Sequence, residues 1–240
     1  MIMPGLGTLI NGLAVVAGGL LGLVFRRGLP QRFQNTLMQA LGLSSIFIGI
    51  SGSLEKMLQI QNGFVCVQGT LLAVLSLAAG ALLGEWINLE RRFEQLGLWL
   101  KKKTGSEKDS RFMQGFLTAS LTICIGAMAI VGALQDGLSA DPSLLITKAV
   151  LDCLIIMIFT SAFGKGAVFS VIPLVFFQGS ITILAQFIAP LLTTQMLDNL
   201  SMIGSMLIFC VGINLMFNTK IRVANLLPAL LIAILLTPLL

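Results

Sequence analysis

The sequence predicts an all-α fold, a polytopic helical membrane bundle of about eight transmembrane helices. Three observations predict it. First, 56% of the 240 residues are hydrophobic and 10% are charged, where soluble domains carry about 25% charge. Second, the apolar residues fall into runs near the roughly 20 residues that a helix needs to cross a bilayer. Third, the basic residues gather in alternate loops between those runs. So apolar a chain excludes a soluble globular domain, and it excludes disorder, which needs low hydrophobicity. There is no histidine, which removes histidine acid–base catalysis and histidine metal ligands together.

The first run, residues 5–25, is long and is followed by Arg26 and Arg27, so it reads as a span and not as a cleavable signal peptide. After Pro30 comes the short second run, 37–54, and after Asn62 the third, 63–83. A polar linker leads to the fourth run, 116–134. Pro142 opens the fifth, 142–163, where proline suits a helix start. The sixth, 167–189, ends at Pro190. The seventh and eighth cover 200–217 and 224–240. Pro173 and Pro228 lie inside runs and predict kinks. The whole chain, 1–240, reads as a single transmembrane domain with a cytoplasmic linker at 86–112.

Arg26, Arg27 and Arg32 follow the first run. Arg91, Arg92, Lys101, Lys102, Lys103, Lys108 and Arg111 lie in the linker, Lys165 follows the fifth run, and Lys220 and Arg222 follow the seventh. The other loops hold Glu55, Lys56, Asp136, Asp141 and Asp198, a net negative set. Basic loops stay cytoplasmic, which puts both termini outside. The net charge of +5 is explained by this pattern, and no nucleic-acid partner is expected.

Within the linker, Trp86, Leu89, Phe93, Leu96 and Leu100 recur at three- and four-residue steps, an amphipathic stripe. Trp86 and Trp99, with Lys101, Lys102 and Lys103, are expected at the headgroup boundary. The alternative is a third helix that runs on into the cytoplasm. The glycine pairs beginning at Gly18 and Gly80 are of the kind that lets membrane helices approach closely, including those of a homo-oligomer. Cys66, Cys124, Cys153 and Cys210 lie in apolar runs and read as packing residues. The second, fourth and seventh runs share a glycine-spaced pattern. If runs one to three correspond to six to eight, they form an inverted repeat, a transporter trait.

Charges inside spans are costly, and the fifth run has two, Lys148 and Asp152, four residues apart on one helix face. They are either a self-cancelling ion pair or part of an ion or substrate path. The sixth run adds Gln178, Ser180, Thr182 and Gln186. The expectation is that Lys148 and Asp152 face Gln178 and Thr182 across a polar cavity, with Asp152 the only acid deep in the bundle. Asn11 and Asn214 are further amides within spans. Gln135 and Asp136 close the outer end of the fourth run, where a solvated turn is the simpler reading.

The motifs G-T-L-I-N-G at 7–12, L-M-Q-A-L-G-L at 37–43, A-I-V-G-A-L-Q-D-G-L at 129–138 and K-A-V-L-D at 148–152 are accompanied by F-F-Q-G-S-I-T at 176–182 and K-I-R-V-A-N-L-L-P-A at 220–229. With these, the chain resembles the YqgA/YdfK-like family of uncharacterised bacterial inner-membrane proteins along essentially its whole length. The resemblance implies that Asn11, Gln135, Asp136, Lys148, Asp152, Gln178, Ser180 and Asn214 belong to the family pattern. It implies no activity.

The residues favour a small secondary transporter or channel-like permease for an unidentified solute or ion. The alternative is a non-transporting scaffold or regulator. An enzyme is not expected, because there is no G-x-S-x-G elbow and no metal-ligand cluster. No P-loop provides for ATP-driven pumping. No cofactor and no bound metal are expected, and the expected partners are the lipid bilayer and the transported species.

Overall fold

The computed structural model describes all residues except 1–3, 27–30, 62–63, 108, 125–126 and 240. Arg27, Pro30, Asn62, Gly63 and Lys108, used above, lie outside the described residues. In chain order the elements are α1 (Leu6–Arg26), α2 (Gln31–Met57), β1 (Leu58–Gln61), β2 (Phe64–Val67), α3 (Thr70–Ile87), α4 (Leu89–Lys103), α5 (Phe112–Cys124) and α6 (Ala127–Ser139). There follow α7 (Ser143–Phe163), α8 (Lys165–Val168), α9 (Val171–Ile188), α10 (Thr194–Phe217), α11 (Val223–Leu226) and α12 (Pro228–Leu236).

Among the described residues, five helices are long and apolar enough to cross a membrane: Leu6–Phe25, Thr70–Ile87, Ser143–Phe163, Lys165–Ala185 and Thr194–Phe217. The pair α5 and α6, bent by 60°, counts as a sixth if taken as one span. The other two of the eight expected runs are helical as well. Serines and glutamines dilute α2, and Val223–Leu236 is short. The third span starts later than expected. The chain before it forms an antiparallel hairpin that pairs Leu58 with Val67 and Ile60 with Val65. The alternation of L-Q-I-Q and the β-branched Val65 and Val67 suit strands. Gly69, at φ 73°, supplies the left-handed turn into α3.

The chain divides into two compact units: residues 1–38, 93–124 and 128–191, and residues 39–92, 125–127 and 192–240. In the first, α1 packs along α7. It buries Asn11, Val15, Gly18 and Gly22, and turns Leu9, Leu13, Leu20 and Val24 outward. Leucine is as content in lipid as in protein, so small and polar residues mark the interior face. Gly18 and Gly22 lie against the backbone carbonyls of Cys153 and Met157. On α4, Phe93, Leu96 and Leu100 pack on Phe112 and Phe116 of α5. This corrects the expectation for the linker: protein, not headgroups, covers that part of the stripe. Trp86 belongs to α3. Trp86 and Trp99 are both exposed, and the Lys103 ammonium lies 4.8 Å above the Trp99 ring. Lys101 is half-buried and Lys102 exposed.

In the second unit, Gly42, Gly49 and Gly52 of α2 meet Met216, Phe209 and Ser205 of α10, while Gly80 and Gly84 of α3 meet Ala229 and Asn225. The descending partner numbers make both pairs antiparallel. The Gly18 and Gly80 pairs, offered above to an oligomer, thus face the chain's own helices. Both predicted proline kinks turn out to be breaks ahead of the proline. Pro173 cannot donate to the Phe169 carbonyl, and Ile172 N–H takes it instead at 3.1 Å. Pro228 cannot donate to Ala224, and Leu227 N–H does so at 3.2 Å. Each proline then sits in the first turn of the next helix.

Candidate functional site

The first unit gathers its polar groups around α1, α7 and α9. Lys148 and Asp152, one turn apart on α7, are 6% and 3% exposed and form an ion pair through Lys148 Nζ and Asp152 Oδ2. Lys148 Nζ also donates to the Ile123 carbonyl at 2.8 Å. That carbonyl is available because α5 ends at Cys124, and the last carbonyls of a helix have no partner within it. They also form the negative end of the helix dipole, where a cation is favoured.

Asn11 of α1 joins this pair to α9. Its Nδ2 donates to Asp152 Oδ2 at 3.0 Å and to Gln178 Oε1 at 3.2 Å. Lys148 and Asp152 were expected to face Gln178 and Thr182 across a polar cavity. The structure places the Asn11 amide between Asp152 and Gln178, and Asn11 and Gln178 are fully buried. One turn earlier on α1, Thr8 Oγ1 lies 3.4 Å from Thr182 Oγ1. The solvated turn expected at Asp136 is corrected. Asp136 is fully buried, and its Oδ2 accepts from the N–H groups of Gly7 (3.0 Å) and Thr8 (3.4 Å). It neutralises the open N-terminus of α1, where donors are unpaired and a negative charge is favoured. Asp152 is therefore not the only deeply buried acid.

Four atoms in and beside the cluster are buried with no hydrogen-bond partner among the described residues: Asn11 Oδ1, Gln178 Nε2, Asp136 Oδ1 and Ser120 Oγ. Buried polar atoms are paired in more than about nine cases in ten, so this interior retains unused hydrogen-bonding capacity.

Three expected site residues lie elsewhere. Gln135 is exposed. Ser180 Oγ donates to the Phe176 carbonyl of its own helix at 2.6 Å. Asn214, in the second unit, holds the turn after α10 by bonding both the N–H (2.9 Å) and the carbonyl (2.8 Å) of Ile221. The side chain of Gln186 is outside the described residues. The sequence reading missed Thr8, Ile123 and, in the second unit, Asn225. Asn225 Oδ1 accepts from Glu90 N–H at 2.7 Å, and Glu90 Oε2 accepts from Ala224 N–H at 3.2 Å. A signal for Asn225 was present, since an amide in the K-I-R-V-A-N stretch lies beside a helix start.

Helices of spanning length with apolar outer faces and a charged, amide-lined interior define an integral, multi-pass membrane protein. Residues 6–238 match the model of the family described as "Protein of unknown function (DUF554)", and the chain belongs to that family. It is 32% identical over 226 residues to the "Uncharacterized membrane protein YdfK" of Bacillus subtilis (strain 168), covering 94% of this chain and 93% of that one. It is also 32% identical over 235 residues to the "Uncharacterized protein YqgA" of Escherichia coli (strain K12), covering 95% and 94%. No solved structure matches it.

Proposed function

We propose that this protein is a small secondary transporter or channel-like permease for a small solute or ion, with Lys148 and Asp152 on the path. The observation that carries the reading is the interrupted pair α5 and α6, whose freed Ile123 carbonyl holds the Lys148 ammonium. Interrupted helices that present carbonyls or N-termini to an ion are how secondary transporters build midplane sites. The unused atoms of Asn11 and Gln178 supply ligands for a passing species. The antiparallel pairing of α2 with α10 and α3 with α12 supports the inverted repeat. The reading is of a non-enzymatic protein of the bacterial inner membrane, with eight spans and both termini outside. Fusion reporters at Lys103 and after the last residue should report opposite compartments, and two cytoplasmic signals would reject that topology.

The alternative, a non-transporting scaffold, draws on the closure of the cluster, in which Lys148 already has two partners. Thiol accessibility separates the two. In a chain with its four native cysteines replaced by serine, Gln178→Cys should react with a water-soluble methanethiosulfonate in intact membranes, and Ile183→Cys on the exposed face of α9 should not. Equal protection of both would favour the scaffold.

A further inference from the structure

At one end of the second unit, a cavity of about 630 Å³ opens among the end of α2, the hairpin and the first turns of α3 and α10. Its size lies within the roughly 300–1,000 Å³ typical of small-molecule sites. Its polar lining includes Glu55, Lys56, Gln59, Gln68, Gln195 and Asp198. Lys56 Nζ stands 3.0 Å from Glu55 Oε1 and 3.0 Å from Asp198 Oδ1. Two carboxylates thus share one ammonium, leaving a local charge of about −1 and a second oxygen on each carboxylate. Among the described residues, the side-chain amides of Gln59, Gln68 and Gln195 have no protein hydrogen-bond partner. Asn199 Nδ2 is fixed to Thr237 Oγ1 at 3.0 Å, which holds one wall in place.

We propose that this cavity binds a small polar solute bearing a primary ammonium group. The free oxygens of Glu55 and Asp198 accept from the ammonium, as strong charge-assisted hydrogen bonds, and the three glutamine amides orient the rest of the solute. An anion would meet a net negative wall and find its one cation already shared. The ammonium has two sources, a free amine or the ethanolamine headgroup of a lipid. The inference does not rest on the transport reading, because it involves none of the residues of the first unit.

The test is binding of radiolabelled putrescine to the full-length protein in phosphatidylcholine nanodiscs. Saturable binding is expected, with a Kd of about 1 mM or tighter. Asp198→Asn should weaken it about tenfold. Lys56→Gln should strengthen it, because the competing ammonium is gone. Gln195→Leu leaves both ion pairs intact and should weaken it, which separates recognition from folding. Phosphatidylethanolamine in the nanodisc displaces putrescine if the headgroup is the occupant and leaves binding unchanged if a free amine is. Absence of saturable binding to the folded protein would overturn the proposal. So would equal weakening by Lys56→Gln and Asp198→Asn, or stabilisation by inorganic phosphate in place of the amine.

Discussion

Both units bring helices backbone to backbone at glycines, Gly18 against Cys153 in the first and Gly84 against Asn225 in the second, but they differ in what else they bury. The first buries an ion pair, two amides and a carboxylate, and closes the ends of α1 and α5 with them. The second sets helices backbone to backbone through glycines and keeps its ion pairs at the rim: Lys56 with Asp198, and Arg222 with Glu85. Both live in a solvent that gives apolar side chains no reason to associate. Backbone contact at glycine is the direct solution, and a buried charge is the costly one. The first unit retains the costly solution, which is what a functional interior would require. Stranded charge should therefore be a failure mode of the first unit, while steric intrusion at a close-packed glycine should act in either.

The largest expected effect is in the first unit. Lys148→Met leaves the Asp152 carboxylate uncompensated and should destabilise by about 3–5 kcal/mol. The Lys148→Met/Asp152→Leu double variant should recover most of that loss. Unfolding in mixed micelles measures both, and equal losses in the single and double variants would break the comparison.

In the second unit, a side chain at Gly84 meets the Asn225 backbone. Gly84→Leu should cost about 1–3 kcal/mol or more by overpacking. Gly179 of α9 has open space around its Cβ position, so Gly179→Ala should be neutral or stabilise by about 0.5–1 kcal/mol. Thermal unfolding of the pair checks whether glycine matters by site or by composition.

A smaller effect is expected at Asp136. Removing the carboxylate that takes Gly7 and Thr8 N–H should cost about 0.5–2 kcal/mol, the range of a lost helix cap. Asp136→Asn should retain part of it, and hydrogen exchange at the start of α1 should report the difference.

The smallest effect concerns pH. Asp198 first, and Glu55 second, hold the Lys56 ammonium above its ordinary pKa of 10.5. A raised lysine stabilises the fold below its unfolded pKa, and the gain disappears as pH rises through the folded value. The pair is partly exposed, so the gain is at most about 1 kcal/mol. The Tm gap between the wild type and Lys56→Met should persist at neutral pH and close only above about 10.5.

The residues that sequence reasoning located best were those whose chemistry is wrong for lipid. Lys148, Asp152, Gln178 and Asn11 stood out because a charge or amide in an apolar run needs a partner. Which partner it takes is tertiary information: nothing in the spacing says that Asn11 stands between Asp152 and Gln178, or that α5 ends where Lys148 can reach Ile123. Asp136 was misread because a polar residue at the end of a run usually meets water, and here it meets another helix's N-terminus. The hairpin was missed because Phe64–Val67 is as apolar as the span behind it, and only the alternation of Leu58–Gln61 ahead of it set the hairpin apart. Asn214 and Ser180 show the opposite failure, since an amide or hydroxyl within a span is often absorbed by its own backbone or turn.

The central claim is that the Lys148–Asp152 pair lies on a transport path, and flux through proteoliposomes tests it most directly. Wild type, Asp152→Asn and Lys148→Met/Asp152→Leu would be reconstituted at equal density and assayed for H⁺, Na⁺ and K⁺ movement and for uptake of labelled amino acids and sugars. The account predicts flux of at least one species in the wild type, and its loss in both variants although the double variant folds. A folded double variant that carries the same flux as the wild type would contradict it and leave the pair a structural one.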